Sequence, residues 1–295
     1  MAFSANSIGG KMAQILDGKT LSSQIRSELA SRVEVLRKQG VVPRLDVLVA
    51  ADDPSSITYV NMKQRWADKI GIVGESWQVT ADTTQEWLIE KLRELNANRE
   101  VHGVLLQHPL PKHLDEAAAL EALGPEKDVD GISPQSLGRL LTGAKGFRCA
   151  TPLGMMRLLD EYGLGCEGKY AVVIGRSVIL GKPAALMLLA RNATVTICHS
   201  RTQGLWDICR TADILVAAVG RAEMVKGDWI KPGAIVLDAG YNKVERRSGD
   251  VGDVEFSSAS EVAGWISPVP GGVGPMTVTM LLSNVVDGAE AAASM

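Results

Sequence analysis

The sequence has few of the features that identify secreted, membrane-spanning or metal-binding proteins. Its four histidines lack the spacing of metal ligands, so we expect no metal site. A membrane span needs about 18 consecutive apolar residues, and no run in this sequence approaches that length. No signal peptide is recognisable either. Together these absences predict a soluble, cytoplasmic protein without a membrane partner. The cysteines show neither Cys-x-x-Cys spacing nor a disulfide framework, and we expect reduced core thiols at Cys149, Cys166, Cys198 and Cys209.

An excess of charge of one sign is also missing. The 295 residues include 31 Lys and Arg against 34 Asp and Glu, a net charge of -3. Such a balance gives no overall field that attracts nucleic acid, so we expect no nucleic-acid partner and infer that local groups hold any anionic ligand. Residues 1–11 show no pattern, and we interpret them as a tag or leader outside the fold.

What the sequence does have is two series of short apolar runs that alternate with helical patterns. A strand-turn-helix pattern begins at Gln14, and the helical patterns of the first series lie near residues 55–71 and 84–96. The predicted strands are Leu45–Ala50, Gly74–Thr80 and Val101–Gln107 in the first series, then Tyr170–Ile174, Thr194–Cys198, Ile214–Ala218 and Ala234–Leu237 in the second. This alternation is typical of βαβ units and predicts two α/β domains.

We place the domain boundary near residue 147, in a polar interval. The last segment, Met276–Ala292, is apolar at helical spacing and could return to the first domain. The predicted domains are therefore residues 12–147 completed by 276–295, and residues 148–275.

The second series opens with a strand, a glycine turn and a helix, the context in which a helix N-terminus receives a pyrophosphate. The turn reads Gly175-Arg176-Ser177, and Gly181 follows at i+6 where the usual dinucleotide fingerprint has glycine at i+5. Ser177 also replaces the second glycine. This altered motif alone leaves open the alternative that the segment is a strand-turn-helix that binds no ligand.

The end of the next predicted strand favours NADP over NAD. An NAD site places a carboxylate there for the ribose 2′-hydroxyl, whereas this chain has His199, Ser200 and Arg201. A hydroxyl and a guanidinium suit a 2′-phosphate, and Arg176 in the turn can reach the same group. For His199 we favour a packed or solvent-facing role at the strand end over a catalytic one.

The first domain carries polar groups at helical spacing. Three of them, Ser56, Tyr59 and Lys63, share one face of a predicted helix. Their spacing alone would equally allow this face to be the solvated side of the helix. Gln107 ends a strand at the edge where parallel sheets bind ligands, and Asp130 lies in a predicted loop. Near the C-terminus, the proline and glycine cluster Pro268–Pro275 predicts a non-helical loop, either a surface linker or an anchored loop that presents backbone groups to a flat ligand.

Together these residues resemble the bifunctional methylenetetrahydrofolate dehydrogenase/cyclohydrolase family from about Met12 to the C-terminus. The family's motifs occur in the family's order as Ser56-x-x-Tyr59-Val-x-x-Lys63, Gln107-x-Pro-Leu-Pro111, Lys127-Asp-Val-Asp-Gly131, Gly175-Arg-Ser177, Gly181-Lys-Pro183, Cys198-His-Ser200 and Pro268-Val-Pro-Gly-Gly-Val-Gly-Pro275. The resemblance implies an N-terminal α/β domain, a C-terminal Rossmann-type NADP-binding domain, a cleft between them, and a homodimer. It also implies oxidation of 5,10-methylenetetrahydrofolate by NADP⁺, followed by hydrolysis to 10-formyltetrahydrofolate without a metal.

The resemblance assigns roles residue by residue. Lys63 matches the essential lysine, Gln107 would orient it, Tyr59 would stack on the pterin, and Asp130 would accept pterin N–H groups. Acid/base catalysis by Lys63 requires that its pKa be lowered, and burial could lower it. The remaining folate-binding residues would be Ser56, Pro268, Gly272 and Pro275, and NADP would be bound by Gly175, Arg176, Ser177, Gly181, Ser200 and Arg201.

Three positions depart from the family pattern. His108 stands where leucine is usual, Ser267 where threonine is usual, and Tyr241 where an aliphatic residue is common. Two alternatives stay open. The motif Tyr59-x-x-x-Lys63 also matches the acid/base pair of the short-chain dehydrogenases. In that family, however, the glycine turn comes before the motif in the chain. The other alternative is a non-catalytic nucleotide-binding module.

Overall fold

The computed structural model describes residues 12–50, 54–244 and 249–294, with the backbone but not the side chains of residues 54–59. It contains two parallel β-sheets with helices packed against them, which confirms the α/β fold class. The predicted leader at residues 1–11 lies outside the described residues.

The strands and helices follow the predicted alternation. The strands are β1 (Gln14–Ile15), β2 (Leu45–Ala50), β3 (Ser76–Val79), β4 (Gly103–Leu106), β5 (Tyr170–Ile174), β6 (Thr194–Cys198), β7 (Ile214–Ala217), β8 (Ile235–Asp238) and β9 (Trp265–Ile266). The helices are α1 (Gly18–Lys38), α2 (Pro54–Ile70), α3 (Gln85–Ala97), α4 (Glu116–Ala122), α5 (Pro134–Thr142), α6 (Ala150–Glu161), α7 (Gly181–Leu189), α8 (Leu205–Cys209), α9 (Phe256–Ser260) and α10 (Val273–Ala293).

The smaller sheet has the strand order β3-β2-β4. Every residue of the central strand β2 is buried, as expected for a parallel strand covered on both faces. Leu45 pairs with Gly103 of β4, and Val47 pairs with Ser76 of β3. The carboxyl ends of these strands therefore lie at one edge, where Gln107 follows β4.

The larger sheet has the order β1-β9-β8-β7-β5-β6. Ile174 at the end of β5 pairs with Cys198 of β6 on one side and with Ala217 of β7 on the other. The chain leaves β5 toward β6 and then crosses to β7, so the strand order reverses at β5. The carboxyl ends at such a reversal form the usual ligand crevice of an open parallel sheet.

Strand β1 joins the larger sheet, although residue 14 falls within the region predicted as the first domain. Gln14 pairs with Trp265 and Ile15 with Ile266. A two-residue strand leaves its backbone groups unpaired unless it extends an existing sheet, and β9 offers that edge. The sequence pattern predicted the strand but not its partner, and the domain division at residue 147 stays a prediction.

The C-terminal helix α10 packs along α1 and α6 and also contacts β4. Its buried Asn284 donates hydrogen bonds from Nδ2 to the carbonyl oxygens of Val129 (2.7 Å) and Arg148 (3.1 Å). The helix begins at Val273, so the expectation that all of residues 268–275 are non-helical is wrong for the last three. Amides in the first turn of a helix have no intrahelical partner, so Pro275 is tolerated there.

Candidate active site

Lys63 and Gln107, which are 44 residues apart in sequence, are in direct contact. Lys63 lies on α2 with 3% of its surface exposed, and its Nζ donates a hydrogen bond of 3.0 Å to Oε1 of Gln107. The backbone of Gln107 is held by a hydrogen bond from its amide to the carbonyl oxygen of Leu48 (2.8 Å). The structure thus brings Lys63 together with the residue predicted to orient it.

Both ends of the Gln107 side-chain amide have partners. While Oε1 accepts from Lys63, Nε2 donates to the carbonyl oxygen of His108 at 2.9 Å. An amide has one accepting and one donating end, so these partners fix which end faces the amine. Gln107 therefore holds the Lys63 amine in one position.

Asp130 lies in a loop whose shape is fixed by its neighbours. The Asp128 carboxylate accepts hydrogen bonds from the amides of Gly131 (2.9 Å) and Ser133 (2.7 Å). Gly131 has φ +68°, and a Cβ there would lie 2.5 Å from the carbonyl carbon of Arg148. Glycine is required at this point both for the left-handed backbone and for the close approach. Within this turn, Asp130 lies close enough to Lys63 for the two side chains to interact electrostatically.

Burial shifts both ionisable groups toward their neutral forms. Burial lowers the pKa of Lys63, and the nearby Asp130 carboxylate opposes this shift. Burial likewise raises the pKa of Asp130, with Lys63 acting against burial and Asp128 adding to it. A lowered pKa makes the neutral form of lysine easier to reach, and the neutral form is the one that can act as a general base.

Two predicted folate-binding side chains lie outside what the structure describes. The backbones of Ser56 and Tyr59 belong to α2, seven and four residues before Lys63. Helical geometry places such positions along the same side as Lys63. Their roles remain predictions.

The Pro268–Pro275 segment is anchored to the start of α1. The amide of Lys19 donates to the carbonyl oxygen of Gly271 (2.8 Å), and a Cβ on Gly18 would lie 1.8 Å from the carbonyl oxygen of Gly272. These contacts favour the anchored loop over the surface linker. The predicted contacts of Pro268, Gly272 and Pro275 with folate remain predictions.

The glycine turn after β5 is closed by tight backbone contacts. A Cβ on Gly175 would lie 2.2 Å from the carbonyl oxygen of Ala218, and one on Gly181 would lie 2.3 Å from the carbonyl oxygen of Gly175. Gly181 begins α7, and its amide donates to Oγ of Ser177 at 3.3 Å. Glycine is therefore needed at both positions, and the altered spacing still forms the strand-turn-helix cradle that fits a pyrophosphate.

The predicted phosphate-binding side chains are exposed at neighbouring strand ends. Arg176 follows β5, whereas Ser200 and Arg201 follow β6, and all three are exposed to solvent. His199 helps to shape the second loop, because its Nδ1 accepts the amide of Arg201 at 3.2 Å. This contact agrees with a structural role for His199, and the two exposed guanidinium groups fit a phosphate ligand.

Sequence reasoning missed Asp253, which organises the loop after β7. The residue is fully buried, and its carboxylate accepts hydrogen bonds from the amides of Val219 (2.6 Å), Gly220 (2.9 Å) and Arg221 (2.8 Å). That loop follows Ala218, whose carbonyl contacts the glycine turn. The only signal in the sequence is an acid among apolar residues, in Val251-Gly-Asp-Val254.

Two departures from the family pattern have simple structural explanations. Oγ of the buried Ser267 accepts a hydrogen bond from the amide of Asp238 at 2.8 Å, which requires only the hydroxyl that threonine also has. Burial raises the pKa of Asp238 to about 6. Tyr241 is 64% exposed, and its hydroxyl donates to Asp250 at 2.5 Å, so its ring does not occupy the core.

Across the ranges that the structure describes, no group of three or more His, Cys, Asp or Glu side chains could hold a metal ion. Within the same ranges, none of the helices is both long enough and apolar enough to span a membrane.

Known proteins resemble the chain along its length. The bifunctional protein FolD of Moorella thermoacetica is 50% identical over 278 residues, which cover 94% of this chain and 99% of that protein. The crystal structure of FolD from Campylobacter jejuni has a TM-score of 0.93 and 41% identity, covering 95% and 99% of the two chains. FolD from Trypanosoma brucei, complexed with NADP cofactor and an inhibitor, has a TM-score of 0.90 and 38% identity, covering 95% and 98%.

Two family models match as well. The tetrahydrofolate dehydrogenase/cyclohydrolase catalytic domain matches residues 16–130, and the NAD(P)-binding domain of the same family matches residues 149–293. The short-chain dehydrogenase alternative is therefore wrong. The chain belongs to the tetrahydrofolate dehydrogenase/cyclohydrolase family.

Proposed function

We propose that this protein oxidises 5,10-methylenetetrahydrofolate with NADP⁺ and hydrolyses the resulting 5,10-methenyltetrahydrofolate to 10-formyltetrahydrofolate. The observation that carries the proposal is the buried Lys63 amine, hydrogen-bonded to Gln107 and adjacent to Asp130, in a chain 50% identical to a bifunctional FolD protein. The same chain has a nucleotide-binding turn in its second half. One polypeptide thus holds groups suited to both reactions.

Binding of the folate would depend on Asp130. The pterin edge offers adjacent N–H donors, and a carboxylate can accept two of them at once. The carboxylate must be ionised to do so, and Lys63 supports that form because its positive charge lowers the pKa of Asp130 against the effect of burial. Tyr59 would stack on the ring, and the Pro268–Pro275 loop would offer its backbone groups.

In the first reaction, bound NADP⁺ supplies the acceptor for the hydride that leaves the methylene bridge. The chain's part is to bind and orient the two molecules. Gly175, Ser177 and Gly181 form the turn for the pyrophosphate, and Ser200 with Arg176 and Arg201 would bind the 2′-phosphate.

In the second reaction, water adds to the methenyl carbon of the cation. Lys63 in its neutral form would accept a proton from that water, and burial favours this form because it lowers the pKa of the amine. The bond from the carbon to N5 then breaks while the new hydroxyl group loses its proton and becomes the carbonyl of the formyl group on N10. Of the two protons of the water, one goes to N5 and the other is released to solvent, so Lys63 returns to its neutral form. Gln107 would orient the amine through the hydrogen bond that it accepts from Nζ.

We also infer that the protein works in the cytoplasm as a homodimer, which the family resemblance supports. The experiment that tests the function is an assay of NADPH formation from NADP⁺ and 5,10-methylenetetrahydrofolate, followed by identification of the folate product. A non-catalytic nucleotide-binding module would bind NADP⁺ without forming NADPH. Absence of NADPH would therefore overturn the proposal in favour of that module.

A further inference from the structure

Two buried carboxylates lie at the carboxyl edge of the larger sheet. Asp238 is the last residue of β8 and is 3% exposed, whereas Asp253 lies in the segment before α9 and is fully buried. Removal of a carboxylate from water is costly unless its oxygens accept hydrogen bonds. The donors around these two groups therefore indicate what the carboxylates hold in place.

Asp253 joins the loops that follow β7 and β8. Its Oδ2 accepts hydrogen bonds from the amides of Val219 (2.6 Å) and Gly220 (2.9 Å). Its Oδ1 accepts hydrogen bonds from the amide of Arg221 (2.8 Å) and from Nδ2 of Asn242, in the loop after β8 (3.0 Å). One side chain thus sets the shape of the first loop and fastens the second loop to it.

Asp238 in turn holds the backbone of Asp253. Oδ1 of Asp238 accepts hydrogen bonds from the amides of Asp253 (3.0 Å) and Gly240 (2.8 Å), and Oδ2 accepts one from the amide of Val254 (2.9 Å). A Cβ on Gly252 would lie 1.8 Å from Oδ2 of Asp238, so the backbone packs directly on this carboxylate. Asp238 and Asp253, the carboxylate pair, therefore form one connected network with both loops.

The strand order indicates which part of the cofactor these loops would meet. Strands β6, β5, β7, β8 and β9 follow one another along the sheet. The proposed 2′-phosphate ligands Ser200 and Arg201 follow β6 and the glycine turn follows β5, so the adenosine half of NADP⁺ would lie on the β6 side. The nicotinamide half would extend the other way, over the loops after β7 and β8. These loops lie between the glycine turn and the Pro268–Pro275 segment after β9, which is proposed to line the folate site.

We propose that Asp238 and Asp253 are positioning residues for hydride transfer, because they fix the loops after β7 and β8 on which the nicotinamide half of NADP⁺ is oriented. The inference rests on the proposed function, which supplies the nucleotide and the folate. In that reaction a hydride, with its two electrons, leaves the methylene carbon and bonds to C4 of the nicotinamide ring, which gives the methenyl cation and NADPH. Reacting atoms must approach to about 3–3.5 Å, and a misplacement of about 1 Å can lower the rate about 100-fold.

The carboxylate pair should matter for only one of the two reactions. Hydrolysis of the methenyl cation involves the folate, water and Lys63, but no nicotinamide. The Pro268–Pro275 segment has its own anchor on α1, the hydrogen bond from the amide of Lys19 to the carbonyl oxygen of Gly271 (2.8 Å). A change that loosens the loops after β7 and β8 should therefore displace the nicotinamide ring while the folate and Lys63 keep their positions.

The test compares the two activities in Asp238→Asn and Asp253→Asn. Asparagine replaces one accepting oxygen by an N–H donor group, so some of the backbone amides lose their acceptor. With NADP⁺ and 5,10-methylenetetrahydrofolate at saturation, we expect kcat for NADPH formation to fall about 10- to 100-fold. Hydrolysis of 5,10-methenyltetrahydrofolate without nucleotide should fall no further than in Asp213→Asn. Asp213 is the matched control, because it accepts hydrogen bonds from the amide of Tyr170 (2.9 Å) and from Nζ of Lys231 (2.6 Å) at the opposite end of the same sheet.

Asn242→Ala is a milder variant that keeps both carboxylates. It removes the hydrogen bonds from Nδ2 to Asp253 (3.0 Å) and to the carbonyl oxygen of Val251 (3.4 Å), at a half-buried position. We expect kcat for NADPH formation to fall in the same direction by a smaller factor, with hydrolysis retained. Added to Asp253→Asn, the substitution should lower kcat little further, because two residues that act through one contact are not additive.

Three outcomes would count against these expectations. A kcat for NADPH formation that is unchanged in the aspartate variants overturns the proposal. Equal losses of both activities overturn it as well, because the carboxylates would then serve only to maintain the fold. If the aspartate variants do not fold, Asn242→Ala decides, and an unchanged ratio of its two activities overturns the proposal. Failure of the proposed function is distinguishable, because the unchanged protein would then form no NADPH.

Discussion

Lys63 and Arg201 are both basic residues of the proposed site, but their environments differ. Lys63 is buried on α2, where burial lowers its pKa. Arg201 is exposed after β6, in a loop whose backbone is held by His199. The first region surrounds its charges with protein, and the second presents its charges to solvent.

This difference matches the chemistry expected of each region. A proton-transfer group must be able to lose its charge, and removal from water is what makes the neutral form of lysine accessible. A phosphate-binding group must keep its charge, and arginine does so at any physiological pH while its planar donors match phosphate oxygens. The comparison therefore predicts that substitutions in the two regions affect different measurable quantities.

The largest effect is expected for Lys63→Met. The variant should lose cyclohydrolase activity by about 10²- to 10⁴-fold, the usual contribution of a general acid/base group, while NADP⁺ binding survives. Hydrolysis of methenyltetrahydrofolate and a fluorescence titration with NADP⁺ measure the two properties. Lys69→Met is the matched control, because Lys69 lies on the same helix but is exposed beside Trp66. Full hydrolysis by the Lys63 variant would refute the role of the amine.

The main effect of Asp253→Ala should be a loss of fold stability. The substitution leaves three backbone amides after β7 without their acceptor, and an unsatisfied buried group costs about 1–3 kcal/mol. Denaturant unfolding should show a clear decrease in the free energy of unfolding. NADP⁺ binding should also weaken, because the loop contacts the glycine turn. Asp250→Asn, which removes a charge that accepts only one described hydrogen bond, is the control. Unfolding curves that coincide for both variants would contradict the role given to Asp253.

The smallest effect, and the most selective, is expected for Arg176→Ala and Arg201→Ala. Each should weaken NADP⁺ binding by about 1.5–3 kcal/mol, the value of a hydrogen bond to a charged group, with little change for NAD⁺. Arg210→Ala, at the end of α8 over the Trp206 ring, should alter neither affinity. Parallel titrations with the two nucleotides give the measurement. Equal losses for both would remove the 2′-phosphate assignment.

Local patterns were sufficient to predict most of the elements. Strand β5 and strand β6 have the predicted bounds, because each is a short apolar run between polar or glycine residues. The pairing of β1 with β9 could not be predicted, since two residues carry no information about a partner 250 residues away. The helical start at Val273 does not follow from proline and glycine content, because both residues are tolerated in the first turn of a helix, where the amides have no intrahelical partner.

The residues of the site also fall into two groups, those that the local sequence could predict and those that it could not. Lys63, Gln107 and Asp130 were candidates because of their residue types and motif positions, and the spacing of the second half indicated a nucleotide-binding turn. Asp253 carried no such signal. Its role consists of contacts with residues in another element, the amides after β7.

The sequence by itself determined the α/β alternation and the positions of the chemically reactive side chains, and it favours a phosphorylated nucleotide as the cofactor. These properties depend on residue type and short-range spacing. Only the tertiary structure decided that Lys63 is buried against Gln107, that Asp130 and Lys63 interact electrostatically, and that Asp253 holds the loop after β7. Burial and distance arise when segments far apart in the chain pack together, and those two quantities set the pKa of each group.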